Sequence, residues 1–290
     1  MIRTLRIVLA GLLPLFFTQG ISAQGFDEVE MVVHSVAGDV KYIEGRGGNI
    51  GLLAGDEGVL LIDDQYAPLT DKILEAIRTV SDQPVKFIIN THMHPDHTGG
   101  NENFGRIGAL IIGHENVRSQ MAIAGYKQTP PFVTFSENVT FHINNEIVHA
   151  FKVPNAHTNN DSYIKFENAN VIHTGDVYRS TSYPYVDTNN GGSFVGIIQA
   201  HELLVEISDE DTKIIPGHGN ITEVDQVREV LEMLYTVRIR VKKAIKNKLT
   251  LEQTQSAGLT TEFDERWDSG GRIGGSKEFI RAAYADMNGN

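Results

Sequence analysis

The chain has 290 residues, of which 41% are hydrophobic and 21% charged, which is ordinary for a globular protein. Its formal net charge of −12 argues against binding to a nucleic-acid backbone, which requires basic surface. Because the sequence has no cysteine, disulfides, thiolate metal ligands and a lipid anchor on cysteine are excluded.

The first 23 residues have the pattern of a signal peptide. Arg3 and Arg6 provide a positive start, residues 7–17 are apolar, and Ser22 and Ala23 offer small residues for cleavage. The apolar run is short for a membrane span, and no later run approaches that length. We therefore expect a periplasmic or secreted protein without a stable membrane span. A buried N-terminal helix is the alternative.

The mature chain begins with strand-like stretches at residues 29–43 and 50–53, followed by a buried strand at 58–63. Apolar residues at helical spacing over 69–80 predict the first helix. A β-branched and aromatic run at residues 85–90 predicts the next strand. These elements form a β–α–β unit.

The remaining elements alternate between hairpins and helices. Strands are predicted at 110–112, 139–143, 147–153, 163–166, 171–173 and 213–215, and helices at 117–124, around 195–207, at 224–248 and near 278–285. Two strand-rich halves closed by helices predict the α/β class as an αββα sandwich. We expect a single domain over residues 24–290, with a helical extension at its C-terminal end.

Three histidines and an aspartate lie in one loop after the strand at residues 85–90. They are His92, His94, Asp96 and His97. A tight loop directs side chains at this spacing in different directions, so it can bind two adjacent cations. Imidazole and carboxylate ligands suit zinc, with iron or manganese also possible. The alternative is a surface loop that happens to be rich in histidine.

Residues 91–100 resemble the signature of the metallo-β-lactamase superfamily. Three later segments occur in the order of that family, at His157-Thr158, Thr174-Gly175-Asp176 and residues 216–219. The resemblance covers roughly residues 40–248. It implies the αββα fold and two zinc ions per chain, which share a hydroxide that attacks the substrate.

The resemblance also assigns the ligands. It implies that one zinc ion is bound by His92, His94 and His157, and the other by Asp96, His97 and His218. Asp176 would bridge the two ions, and Asp96 and Asp176 are the carboxylates assigned to catalysis. Asp63, at the end of a strand, matches a family acid that hydrogen-bonds a metal-bound histidine. A strand-end aspartate that caps a turn is the alternative for Asp63.

Asp176 stands where one β-lactamase subclass has cysteine and another has serine. A bridging aspartate resembles the wider hydrolases of the glyoxalase II type. We therefore predict an exported dizinc hydrolase that cleaves an ester, thioester, lactone or amide bond of a small molecule. The alternatives are a β-lactamase, and a member of the fold that binds a metal or a partner without turnover. The sequence leaves the oligomeric state open.

The residues that face the substrate are predicted from their positions in loops. We expect Asn49, Tyr178, Tyr183 and His114 to approach the substrate, and Tyr185 and Asp187 belong to the same predicted flap or pocket wall. The histidines at positions 142, 149 and 173 lie in predicted strands, and we interpret them as packed or surface residues.

Overall fold

The computed structural model describes residues 25–126, 128–271 and 273–289. The predicted signal peptide lies outside the described residues. Within them, seven strands form one sheet in chain order. They are β1 (Val32–Ala37), β2 (Val40–Glu44), β3 (Ile50–Gly55), β4 (Gly58–Ile62), β5 (Val85–Asn90), β6 (Leu110–His114) and β7 (Val133–Phe135). Strands β1 to β4 are antiparallel, whereas β4 to β7 are parallel.

The second sheet of the described chain has the strand order β13-β12-β11-β10-β9-β8. Its strands are β8 (Asn138–Ile143), β9 (Glu146–Lys152), β10 (Ser162–Phe166), β11 (Val171–His173), β12 (Lys213–Ile215) and β13 (Thr222–Glu223). Strands β8 to β11 form the two predicted hairpins. Strands β11 and β12 are parallel, so their carboxyl ends lie at the same edge.

Helices cover the outer face of each sheet. In the described ranges they are α1 (Thr70–Arg78), α2 (Pro95–Thr98), α3 (Asn101–Arg106), α4 (Glu115–Ile123), α5 (Phe194–Glu206), α6 (Val224–Lys246), α7 (Leu251–Gln255), α8 (Thr261–Trp267) and α9 (Ser276–Asn288). None of these helices is long and apolar enough to cross a membrane.

Alternation along β4 shows how the layers form. Leu60 and Ile62 face the core between the two sheets, whereas Val59 and Leu61 face the helical layer that contains α1. A third apolar cluster lies between the second sheet and helices α5, α6 and α9. The predicted αββα sandwich is therefore confirmed. Strands β7 and β13 and helices α2, α3, α7 and α8 were not predicted, because each is too short to show a clear period.

Candidate metal centre

The histidine-rich loop begins where β5 ends. Pro95 opens the short helix α2, as suits a proline at the first helical position. The Thr98 hydroxyl donates to the carbonyl oxygens of Met93 and His94 at 3.3 and 3.1 Å. The Met93 backbone N–H donates to the side-chain oxygen of Asn160, just before β10. These contacts hold the loop against the second sheet.

His92, His94 and His157 form the first candidate ligand group. The Nδ1 atom of His94 lies 3.1 Å from His92 Nε2 and 2.9 Å from His157 Nε2. The three candidate ligand atoms therefore face one another, all within 4.8 Å. His157 comes from the loop between β9 and β10, so the second sheet completes a group that the first sheet begins.

The outward nitrogens of two of these rings have acceptor partners. His94 Nε2 lies 2.9 Å from a carboxylate oxygen of Asp187, and His157 Nδ1 lies 2.7 Å from the carbonyl oxygen of Tyr185. Because both oxygens accept hydrogen bonds, these ring nitrogens carry the proton. The inward nitrogens of His94 and His157 are then unprotonated in the neutral rings.

Thr91 determines the tautomer of the third ring. Its hydroxyl donates to Asp63 at 2.7 Å, so its oxygen accepts from His92 Nδ1 at 3.0 Å. Burial and the neighbouring histidines hold the pKa of His92 well below its ordinary value, and burial lowers the pKa of His157 to about 3. When the three rings are neutral, three nitrogen lone pairs face one another and repel each other unless a cation lies between them.

Asp96, His97 and His218 form the second candidate group. Asp96 Oδ2 lies 3.2 Å from His218 Nε2 and 3.7 Å from His97 Nε2. On its other side, His97 Nδ1 lies 2.7 Å from Asp63 Oδ2. Asp63 thus makes the predicted hydrogen bond to a candidate ligand histidine. Among the described residues, the buried His97 Nε2 has no hydrogen-bond partner.

Asp176 lies between the two groups. Its Oδ1 atom is 3.2 Å from the Nε2 atoms of both His97 and His218, and its Oδ2 atom is 3.9 Å from His157 Nε2. The two carboxylate oxygens therefore face different groups, as a bridging ligand requires. Arg179 Nη1 donates to Oδ2 at 3.0 Å.

Charged side chains surround His97 in the second group, and both His97 and Asp176 are buried. Burial lowers the pKa of His97, but Asp96, Asp176 and Asp63 outweigh burial and raise it well above the ordinary value. Burial raises the pKa of Asp176, but His218 and His97 hold it well below the ordinary value. Carboxylates around one imidazole favour a positive charge at their centre, and a divalent cation competes with protons for such sites. The donor set therefore fits a metal ion.

Two glycines let the backbone approach the candidate ligands. A Cβ atom on Gly48 would lie 2.1 Å from His97 Cε1, and one on Gly217 would lie 2.1 Å from Asp176 Oδ1. Contacts this short would force the ligand side chains to move. These positions therefore require glycine for the site to keep its geometry.

Asn49 supports the second group instead of facing a substrate. Its side-chain amide donates to the carbonyl oxygens of Pro216 and Gly219, on either side of His218, at 2.9 Å each. Its backbone carbonyl accepts from His173 at 2.9 Å. The side chain is buried and occupied by these bonds, so the structure places it behind the candidate ligands and not at the predicted substrate position.

The two predicted tyrosines lie in the core. Tyr178 is 1% exposed and Tyr183 is 0% exposed. The Tyr178 ring contacts His201, and the Tyr183 ring stacks on Phe279 while its hydroxyl donates to Asp264 at 2.8 Å. The structure therefore places both tyrosines in the core and not at the predicted substrate position, because the chain after Asp176 turns them into the helical layer.

His114 also has a structural position. Its Nδ1 atom accepts from the backbone N–H of Asn116 and caps α4, and its Nε2 atom lies 2.8 Å from the carbonyl oxygen of Ser136. The side chain is buried and does not line the cleft, so the structure does not place it at the predicted substrate position.

An open cleft of about 350 Å³ gives access to both candidate groups. Besides ligand residues, it is lined by Pro95, Arg179, Tyr185, Asp187 and Ile273. Tyr185 and Asp187, which were predicted to belong to a flap or pocket wall, thus line the cleft. Arg179 was missed, although its position three residues after Asp176 on a short turn is a usable signal. No local pattern in the sequence marks Ile273.

Residues 43–218, more than half of the chain, match the metallo-β-lactamase superfamily. The chain belongs to this superfamily, and the predicted membership is confirmed.

Individual relatives are more distant. A stretch of 69 residues, 23% of this chain, is 35% identical to a linear primary-alkylsulfatase of Pseudomonas sp. (strain ATCC 19151), but it spans only 12% of that protein. A metallo-β-lactamase from Pontibacter korlensis has a TM-score of 0.63 at 20% identity, covering 71% of this chain and 99% of that one. The DIM-1 metallo-β-lactamase has a TM-score of 0.63 at 15% identity, covering 72% and 99%. These two likenesses concern the fold.

Proposed function

We propose that the chain is a hydrolase that uses two divalent cations, zinc by preference, to cleave an ester, thioester, lactone or amide bond of a small molecule. The observation that carries the proposal is the set of three imidazoles whose inward nitrogens face one another beside a second group, with Asp176 facing both. Imidazole and carboxylate ligands suit zinc, while iron and manganese also accept them. Two bound cations would lower the pKa of a water molecule and stabilise an oxyanion.

The protein's own residues would prepare the site for these cations. Thr91, Asp187 and Tyr185 each fix one ring of the first group, which leaves one nitrogen of each ring free to bind a metal. The negative charge of Asp176 would offset the repulsion between two cations.

Asp96 borders the cleft with a side chain that is 25% exposed. Burial raises its pKa, but His97 and His218 outweigh burial and lower it to about 2. Asp96 is therefore ionised at neutral pH. An ionised carboxylate there can accept a hydrogen bond from a water molecule in the cleft and orient it.

Asp176 favours a hydrolase of the glyoxalase II type over a β-lactamase, because the β-lactamase subclasses compared above have cysteine or serine at this position. The solved β-lactamases share the fold at 15–20% identity, and the alkylsulfatase match is short. β-Lactams and alkyl sulfates therefore serve as comparison substrates.

We also propose that the protein is exported, which N-terminal sequencing of the mature protein tests. A mature start near Gln24 supports export, and a retained Met1 contradicts it.

Hydrolysis assays on zinc-, iron- and manganese-loaded protein test the proposal. The panel consists of an aryl ester, a thioester, a lactone, an aryl amide, a β-lactam, a phosphodiester and an alkyl sulfate. We expect turnover of at least one of the first four, lost in the double variant His92→Ala with His94→Ala. The control variant is His142→Ala, an exposed histidine on β8 that should keep full activity. Metal binding without turnover of any compound would favour the non-catalytic alternative.

A further inference from the structure

The C-terminal part of the chain brings one apolar side chain to the cleft. Ile273 lines the cleft together with Arg179 and Tyr185, and it is 52% exposed. It lies outside residues 43–218, the part that matches the superfamily. This apolar wall therefore comes from the part of the chain beyond the family match.

Hydrogen bonds join the described residues on both sides of Ile273. The Asp268 carboxylate accepts from the backbone N–H of Gly270 and from the backbone N–H and hydroxyl of Ser276. The Ser269 hydroxyl donates to the carbonyl oxygen of Ile273 at 2.6 Å. Bonds on both sides of Ile273 therefore define the position of its backbone.

The loop that carries Ile273 is also fixed against Ser182 and Tyr183. The Tyr183 backbone N–H donates to the Trp267 carbonyl oxygen at 2.8 Å, just before the loop. Gly274 packs so closely on Ser182 that a Cβ atom would lie 2.7 Å from it. Ser182 Oγ in turn accepts from Arg179 Nε at 3.1 Å. The loop therefore contacts the residue that positions Arg179, which keeps Ile273 at the edge of the cleft.

We propose that Ile273 is a specificity-determining residue that selects substrates with an aliphatic or aromatic group beside the bond to be cleaved. This inference deepens the proposed function and rests on it. A large apolar side chain held half-exposed in a cleft gains stability when an apolar ligand group removes it from water. Pro95 and Tyr185 add further apolar surface to the same cleft.

Binding of two simple carboxylates tests the inference without turnover. Acetate and hexanoate are titrated into zinc-loaded protein by calorimetry, and their affinities are compared. We expect hexanoate to bind more tightly than acetate. Ile273→Ala should reduce the affinity for hexanoate about 10-fold, which is the lower end of the range for a methylene group in an apolar pocket. We choose the lower end because Ile273 is half-exposed. Acetate affinity should not change. Ile273→Val should restore most of the preference for hexanoate.

Ile239→Ala is the matched control, because Ile239 is an exposed isoleucine on α6 away from the residues that line the cleft. It should leave both affinities unchanged. Metal content is measured for each variant, so that loss of zinc is not mistaken for loss of the apolar contact. The kcat/KM values for the acetyl and hexanoyl esters of p-nitrophenol provide the second readout.

The outcomes separate the two proposals. Equal binding of acetate and hexanoate by the unaltered protein, or an equal loss for both in Ile273→Ala, overturns the role of Ile273. An Ile273-dependent preference for hexanoate in a protein that hydrolyses no compound of the panel supports the apolar subsite and rejects the proposed hydrolase.

Discussion

We predict that Asp187 strengthens metal binding by the group of His92, His94 and His157. Its carboxylate lies 2.9 Å from His94 Nε2, and the two side chains are only 9% and 14% exposed. Loss of a group that orients a metal-bound histidine typically costs about 10–100-fold in metal affinity, or about 1.4–2.8 kcal/mol. Asp187→Asn keeps an acceptor but removes the charge, so we expect about 10-fold. Asp187→Ala removes both, so we expect about 100-fold.

Competition with a chromophoric zinc chelator measures the two affinities separately. The trihistidine position should weaken, while the position of Asp96, His97 and His218 should change little. Asp187 also accepts from the Asn190 side chain at 2.6 Å, so Asn190→Ala is the control for disturbance of the loop alone. Equal losses at both positions, or an unchanged first affinity in Asp187→Ala, would refute the reasoning.

Three further predictions concern the bridging role of Asp176, the close packing of Gly217 on Asp176, and the core position of Tyr183. Asp176→Asn should weaken the second ion at least 10-fold, and an unchanged affinity in metal titrations would reject the bridging role. Gly217→Ala should reduce second-site affinity because its Cβ atom would overlap Asp176, whereas Gly105→Ala, with nothing within 4 Å, should not. Tyr183→Phe should lower the free energy of unfolding by about 1.5–3 kcal/mol, because a bond to the Asp264 carboxylate is lost. Denaturant unfolding measures this change, and an altered KM with unchanged stability would contradict the core position of Tyr183.

The sequence predicts the candidate ligands because their signals are local. His92, His94, Asp96 and His97 lie in a stretch of six residues that follows one buried strand. Asp176 and His218 each follow a short strand, and those strands are parallel neighbours. Adjacent parallel strands bring their carboxyl ends to one edge, so ligands at strand ends meet there.

The residues that hydrogen-bond these candidate ligands come from distant parts of the chain. Hydrophobic periodicity in the sequence does not indicate such contacts. Asp187 is 93 residues from His94, and Asn49 is 167 residues from the carbonyl oxygen that it contacts. Tyr183 follows the candidate ligand Asp176 closely in sequence, yet Phe279 and Asp264 determine where its side chain lies. The sequence therefore predicted that several loop residues face the substrate. In the tertiary structure, these residues pack in the core or stabilise neighbouring backbone.

Native mass spectrometry with elemental analysis tests the central claim most directly. The protein is purified without any exposure to chelator, and its mass is compared before and after removal of metal. We predict a loss equal to two divalent cations per chain, with zinc as the main element, and one cation fewer for Asp176→Asn at limiting metal. A protein that is purified metal-free and takes up no cation when zinc is added would contradict the dinuclear centre.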